Sequence, residues 1–208
     1  MRRLAGVLLL VSGLCVSTQA ARADCSAEVD AAFGKLRELS AFRMETTIVN
    51  EQGSLRMAVD YLPPDRMHQT VDTGTDAGTV QLIVIGSEAW SNQGHGWAKM
   101  PEKFANEVAG QMRQSLAARQ HSGTNYECLG EQTFEGKTYL AYRASLPAVH
   151  GNTAAEPPPP NVQTVYIDKV SGLPVRNIVT PGDKPDTRLF DGTFQVRDGL
   201  KIEAPTTQ

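Results

Sequence analysis

Histidine, cysteine and tryptophan are scarce in this chain, at four, three and two residues, and aromatic side chains make up only 6% of it. The histidines are His68, His95, His121 and His150. No two of them have a spacing that would set them with a carboxylate on one strand or helix face, so no metal ligand is assigned. G-x-S-x-G, P-loop and dinucleotide fingerprints are all missing. No catalytic or cofactor-binding residue is therefore assigned, no cofactor is expected, and the chain reads as no enzyme. Concentrated Lys and Arg are missing too, which excludes a phosphate-gripping surface and with it nucleic acid as a partner. No apolar run reaches the roughly 18 residues that a permanent membrane span needs.

What is present begins with an address. Met1-Arg2-Arg3 precedes an apolar stretch from Leu4 to Val16, and Ala21-Arg22-Ala23 offers a small-x-small cleavage pattern, with Ala20 as a second cut point. A cleaved signal peptide over residues 1–23 and a periplasmic location are expected. Cys15 is not read as a lipidation site, because bulky Leu14 occupies the place where a lipobox has a small residue. Cleavage after Ala23 removes three arginines and takes the net charge from −3 to −6. Cys25 and Cys128 survive it, and an even count in an oxidising compartment predicts one disulfide. Closing a loop of about 100 residues stabilises by up to about 4.7 kcal/mol in the chain-entropy model. No C-x-x-C spacing suggests redox chemistry.

The 208-residue chain, less its leader, is long enough to bury one core, so residues 24–208 are read as a single domain. The one compositional break runs from Pro147 to Asn161, where four consecutive prolines, Pro157 to Pro160, predict a surface loop. Residues 26–40 read as a helix with Val29, Phe33, Leu36 and Leu39 on one face. From Arg43 the period becomes two. Leu55, Met57, Val59 and Tyr61 alternate with Arg56, Ala58 and Asp60 until Pro63-Pro64, and Glu51-Gln52-Gly53 supplies a hairpin turn between strands 43–50 and 54–62. Further strands are predicted at 66–71, 80–85, 89–91 and 97–99. A second helix opens at Pro101 with Phe104, Val108, Met112 and Leu116 recurring every four residues. After it come strands near 125–131, 138–146, 162–168, 173–180, 187–196 and 200–203, with turns at Glu135-Gly136, Ser171-Gly172 and Asp198-Gly199.

The resulting class is α+β, with about ten or more short strands in a single strongly curved antiparallel sheet and two helices packed on its concave face. Such a layout offers an apolar cavity between sheet and helices. Its candidate lining is Leu55, Met57, Val59, Tyr61, Met67, Leu82, Val84, Trp90, Phe104, Val108 and Met112. Met44, Met57, Met67, Met100 and Met112 fall near these faces, and methionine adapts well to irregular apolar ligands.

The strings GSLRMAVDYLPPDRM, VQLIVIGSEAW, GWAKMP, YIDKVSGLPVRN and LKIEAP, taken in that order around the second helix, resemble the LolA-like superfamily. Its members include the periplasmic lipoprotein carrier and the mycobacterial lipid-binding lipoproteins. The resemblance implies an incomplete β-barrel closed by helices, with an interior that receives acyl chains. It implies as partner a lipid or an acylated protein, and the chain is expected to act as a monomer. An envelope protein as partner of a filled half-barrel, in an interaction or sensor module, is the alternative. Pro63 stands where the lipoprotein carrier has a basic residue that helps hold its lid, so that contact is not carried over. With Cys25 pinning the first helix, residues 101–118 are the expected gate.

Overall fold

The computed structural model describes residues 24–50, 53–72, 74, 78–117, 123–147 and 159–207. The expected leader, the Glu51-Gln52 half of the first turn, His121, His150 and most of the proline-rich loop lie outside the described residues.

Asp24 accepts a hydrogen bond from the Ala27 amide (3.1 Å) and so caps helix α1, Cys25–Arg37. Glu28 in its first turn and Lys35 and Arg37 in its last complement the helix dipole, and its buried stripe is Val29, Ala32 and Leu36. The first meander then runs through β1 (Phe42–Asn50), β2 (Gly53–Leu62), β3 (Arg66–Asp72), β4 (Thr79–Ile85), β5 (Glu88–Asn92) and β6 (Trp97–Lys99). Pro101 stands at the N-cap position of helix α2, Glu102–Leu116, which buries Ala105, Ala109 and Met112. The second meander comprises β7 (Glu127–Phe134), β8 (Lys137–Leu146), β9 (Asn161–Ile167), β10 (Pro174–Thr180) and β11 (Phe190–Val196).

Among the described residues eleven strands form one antiparallel sheet in the order β6-β5-β4-β3-β2-β1-β11-β10-β9-β8-β7. The two meanders join where β1 pairs with β11, from Phe42 opposite Val196 to Ile48 opposite Phe190. The sheet is an open, incomplete barrel whose edges are β6 and β7, and α2 lies in the connection between those edges. Glu135 and Gly136 both take positive φ, 49° and 79°, in the tight turn joining β7 to β8, as a two-residue hairpin requires.

Both helices pack on one face of the sheet, hereafter the inner face. α1 lies on β7, β9 and β10, and α2 lies on β4 and β5. One core under α2 gathers Phe42, Val59, Tyr61, Met67, Val84 and Ala89, with Leu36 arriving from α1. A second, under α1, gathers Val29, Ala32, Tyr142, Val165 and Ile167. A third lies on the outer face, where Ile83 and Trp90 pack with Ile202.

That third cluster corrects two expectations. Residues 200–203 form no strand, and Asp198-Gly199 turns the chain into a tail and not into a hairpin. Leu200 and Ile202 instead settle against the outer face, and Arg66 Nη1 donates to the Ile202 carbonyl at 2.8 Å. Side-chain burial and one guanidinium bond take the place of a ladder.

Candidate functional site

The inner-face residues of β2 and β3 that meet α2 enclose a cavity of about 150 Å³. Its floor is Met57, Val59 and Tyr61 of β2, Met67 and Gln69 of β3, and Leu82 of β4. Its roof is Val108, Gln111, Met112 and Ser115 of α2. The strand period explains the floor: Met57 pairs with Val71, Val59 with Gln69 and Tyr61 with Met67, so alternate residues of adjacent strands converge on one face. Tyr61 is held there by stacking on Phe42 (centroids 4.9 Å apart), and burial raises its phenol pKa. Gln111 and Ser115 are exposed and form the mouth. Beyond the cavity the same face continues through half-buried Ile48, Leu55, Val71 and Val80, which neighbour one another or Met57 in register.

The two helices over this interior are anchored very differently. Cys25 is bonded to Cys128 of β7, with Cα atoms 5.4 Å apart. The Tyr142 hydroxyl donates to Glu28, and burial, reinforced by that carboxylate, raises the Tyr142 pKa. The Tyr126 amide donates to Ser26 Oγ at 3.0 Å. The Tyr126 phenol is pushed up to about 12, first by burial and then by the charge of Asp30. α2 makes no covalent tie. It rests on the small side chains of Ala105 and Ala109, and its C-terminal turn is held by Arg37 Nε donating to the Ser115 carbonyl (3.2 Å). Arg113 Nη1 adds a longer contact of 3.5 Å to the Gly86 carbonyl.

Of the residues expected to line a cavity, Met57, Val59, Tyr61, Met67, Leu82, Val108 and Met112 surround this one. Val84 is fully buried in the core beside Met67 and does not reach it. Leu55 lies on the same face, one strand repeat beyond Met57 and outside the cavity. Phe104 is 52% exposed, one turn before Val108 on α2. Trp90 stands on the outer face against Ile83 and Ile202, with the Lys99 ammonium 5.8 Å from its ring centroid. Its register opposite Ile83 and Lys99 places it out of phase with Ala89, which faces the core. Gln69, Gln111 and Ser115 were not expected at the cavity. The alternation through Met67 marks the position of Gln69, but its polar type hid it.

A larger hollow, about 390 Å³, opens on the outer face among Thr47, Arg56, Thr70, Asp72, Arg176 and Asp191. Its charged and hydroxylic lining suits water better than hydrocarbon. His68 Nε2 lies 3.1 Å from Gln81 Oε1 on that face, and His95 sits in the β5–β6 loop. Among the described residues no group of three or more His, Cys, Asp or Glu could hold a metal ion, and no helix is long and apolar enough to cross a membrane.

No family model and no curated protein sequence matches the chain. Solved structures do. An open antiparallel barrel with helices on its inner face is a fold they share with this chain. The architecture is similar to that of two mycobacterial proteins. Lipoprotein LppX of Mycobacterium tuberculosis superposes with a TM-score of 0.54 at 15% identity, over 86% of this chain and 98% of that one. LprF from Mycobacterium bovis superposes with a TM-score of 0.55 at 11% identity, over 87% of this chain and 96% of that one.

Proposed function

We propose that this is a non-enzymatic periplasmic protein that binds a lipid or an acylated protein between its sheet and α2. The observation that carries the reading is the cavity floored by Met57, Val59, Tyr61, Met67 and Leu82 and roofed by Val108 and Met112. Its lining is flexible and mostly apolar, with Gln69, Gln111 and Ser115 as polar members and no charged side chain, which suits burial of hydrocarbon.

A cavity of 150 Å³ accommodates a group about the size of benzene, so a full acyl chain enters by lifting α2 and lying along Ile48, Leu55, Val71 and Val80. Each methylene buried in this way contributes about 0.8 kcal/mol before ordering costs. The mature protein is a single domain of residues 24–208, exported by a leader cut after Ala20 or Ala23, and it acts as a monomer. Purification from the periplasm followed by solvent extraction and mass spectrometry should release a lipid, and a fluorescent fatty-acid probe should bind the emptied protein. No lipid and no probe binding would instead favour a filled-core interaction module of the envelope.

A further inference from the structure

One polar atom inside the barrel is out of place. Thr46 is 3% exposed, and its Oγ1 is the single buried side-chain nitrogen or oxygen among the described residues that has no hydrogen-bond partner. Buried hydroxyls are paired as a rule, because leaving one unpaired forfeits its solvation. Thr46 lies on the inner face of β1. Its neighbour on one side is Gly192 of β11, which presents no side chain, and on the other Met57 of β2, part of the cavity floor, so that Thr46 lies behind that methionine and outside the cavity lining, on the backbone that also borders the outer hollow. A second under-satisfied group flanks the same methionine. Gln69, a half-buried amide of the cavity lining, donates its Nε2 to Met57 Sδ at 3.2 Å, and a thioether is a weak acceptor. Two donors, one without a partner and one with a poor one, thus stand on either side of a side chain with three rotatable bonds.

We infer that Gln69 and Thr46 form a recognition point for a neutral oxygen acceptor, the carbonyl of an ester-linked acyl chain, which displaces the Met57 sulfur and accepts from both. This inference rests on the lipid-binding reading and adds the class of lipid. Both groups can donate, and an acceptor that replaces the Met57 sulfur gives the Gln69 amide a stronger partner than a thioether. The lining holds no charged side chain, and Arg37 meets it only at the Ser115 carbonyl of the mouth, so an uncharged carbonyl fits the interior, whereas the carboxylate of a free fatty acid stays at the mouth. Apolar contacts then set how tightly a chain is held, while the Thr46–Gln69 pair sets which chain.

Two probes separate these contributions: a pyrenyl-dodecane and the methyl ester of pyrenyl-dodecanoic acid, which share fluorophore and chain and differ in the ester. The full mature protein should bind the ester about tenfold more tightly, the return of one or two net hydrogen bonds. Thr46→Val and Gln69→Leu should each cut that preference several-fold and leave hydrocarbon binding within about twofold, whereas Thr46→Ser should retain the preference. Thr46→Val should melt no lower than the parent, since it removes an unpaired buried hydroxyl at constant shape. Hydrocarbon binding without ester preference, or a preference that survives both variants, overturns the recognition point and leaves the lipid-binding reading standing. Failure of both probes to bind the parent protein overturns that reading and the recognition point together.

Discussion

Arg37 in the last turn of α1 donates its Nε to the carbonyl of Ser115 in the last turn of α2, 3.2 Å away, so the covalently anchored helix holds the C-terminal end of the unanchored one. The bond lies at the cavity mouth. Arg37→Ala should therefore speed probe release by up to about fivefold, in line with roughly 1 kcal/mol for such a bond. Stopped-flow dissociation of a bound fatty-acid probe measures this. An unchanged rate would place the gate elsewhere.

Removing the covalent anchor should act on stability more than on exchange. Replacing Cys25 and Cys128 with serine should cost about 2 to 4 kcal/mol in denaturant unfolding. In hydrogen exchange, protection should fall over residues 25–37 and hold over 102–116. If ligand release accelerates more in this variant than in Arg37→Ala, α1 is the moving element.

Filling the cavity should abolish binding without unfolding the protein. Val108 is half-buried and sits on the roof, so Val108→Trp can place its ring over Met57 and Leu82. Probe affinity should drop at least tenfold, with an overpacking cost of about 1 to 3 kcal/mol. Titration with a fluorescent fatty acid, beside a thermal melt, reads both. Full affinity in a folded variant would remove the cavity from consideration.

Acid sensitivity should centre on Asp191. Burial pushes its carboxyl pKa up, but hydrogen bonds from Arg176 (2.7 and 2.8 Å) and Arg188 (2.5 Å) outweigh this and hold it below the usual carboxylate range. A pKa lower in the folded than in the unfolded chain stabilises above the unfolded value of about 3.9, and the gain is lost as pH falls through the folded value. Asp191→Asn should lower stability by about 1 to 3 kcal/mol at pH 7. The gap to the parent should close below about pH 4, as melts at pH 7, 5 and 3 would show. A gap independent of pH would assign the effect to packing.

Most of the fold was written in periodicity. The strands over Phe42–Asn50, Gly53–Leu62 and Trp97–Lys99 follow alternating side chains between turn residues, and both helices follow their four-residue apolar repeats. The tail was misread because Leu200 and Ile202 also alternate, and period alone cannot distinguish a ladder from two side chains seated in an outer groove. Half of the cavity question had the same limit. Alternation separates the faces of β2 and β3, but in a strand as short as Glu88–Asn92 Ala89 and Trp90 point opposite ways, and it is Ala89 that faces the inner core. Thr46 and Gln69 were invisible as site residues, since a polar side chain on an apolar face stands out only once burial and partners are known.

The joint between β1 and β11 has a consequence in time. Phe42 finds its partner Val196 only after nearly the whole chain is present, so this non-local pairing closes late and slowly. Until then the N-terminal meander carries the unclaimed edge of β1, an invitation to pair with other chains. Arg43 and Glu45 on that strand place charges where an intruding strand would dock, and they guard the seam while it waits for its own last strand.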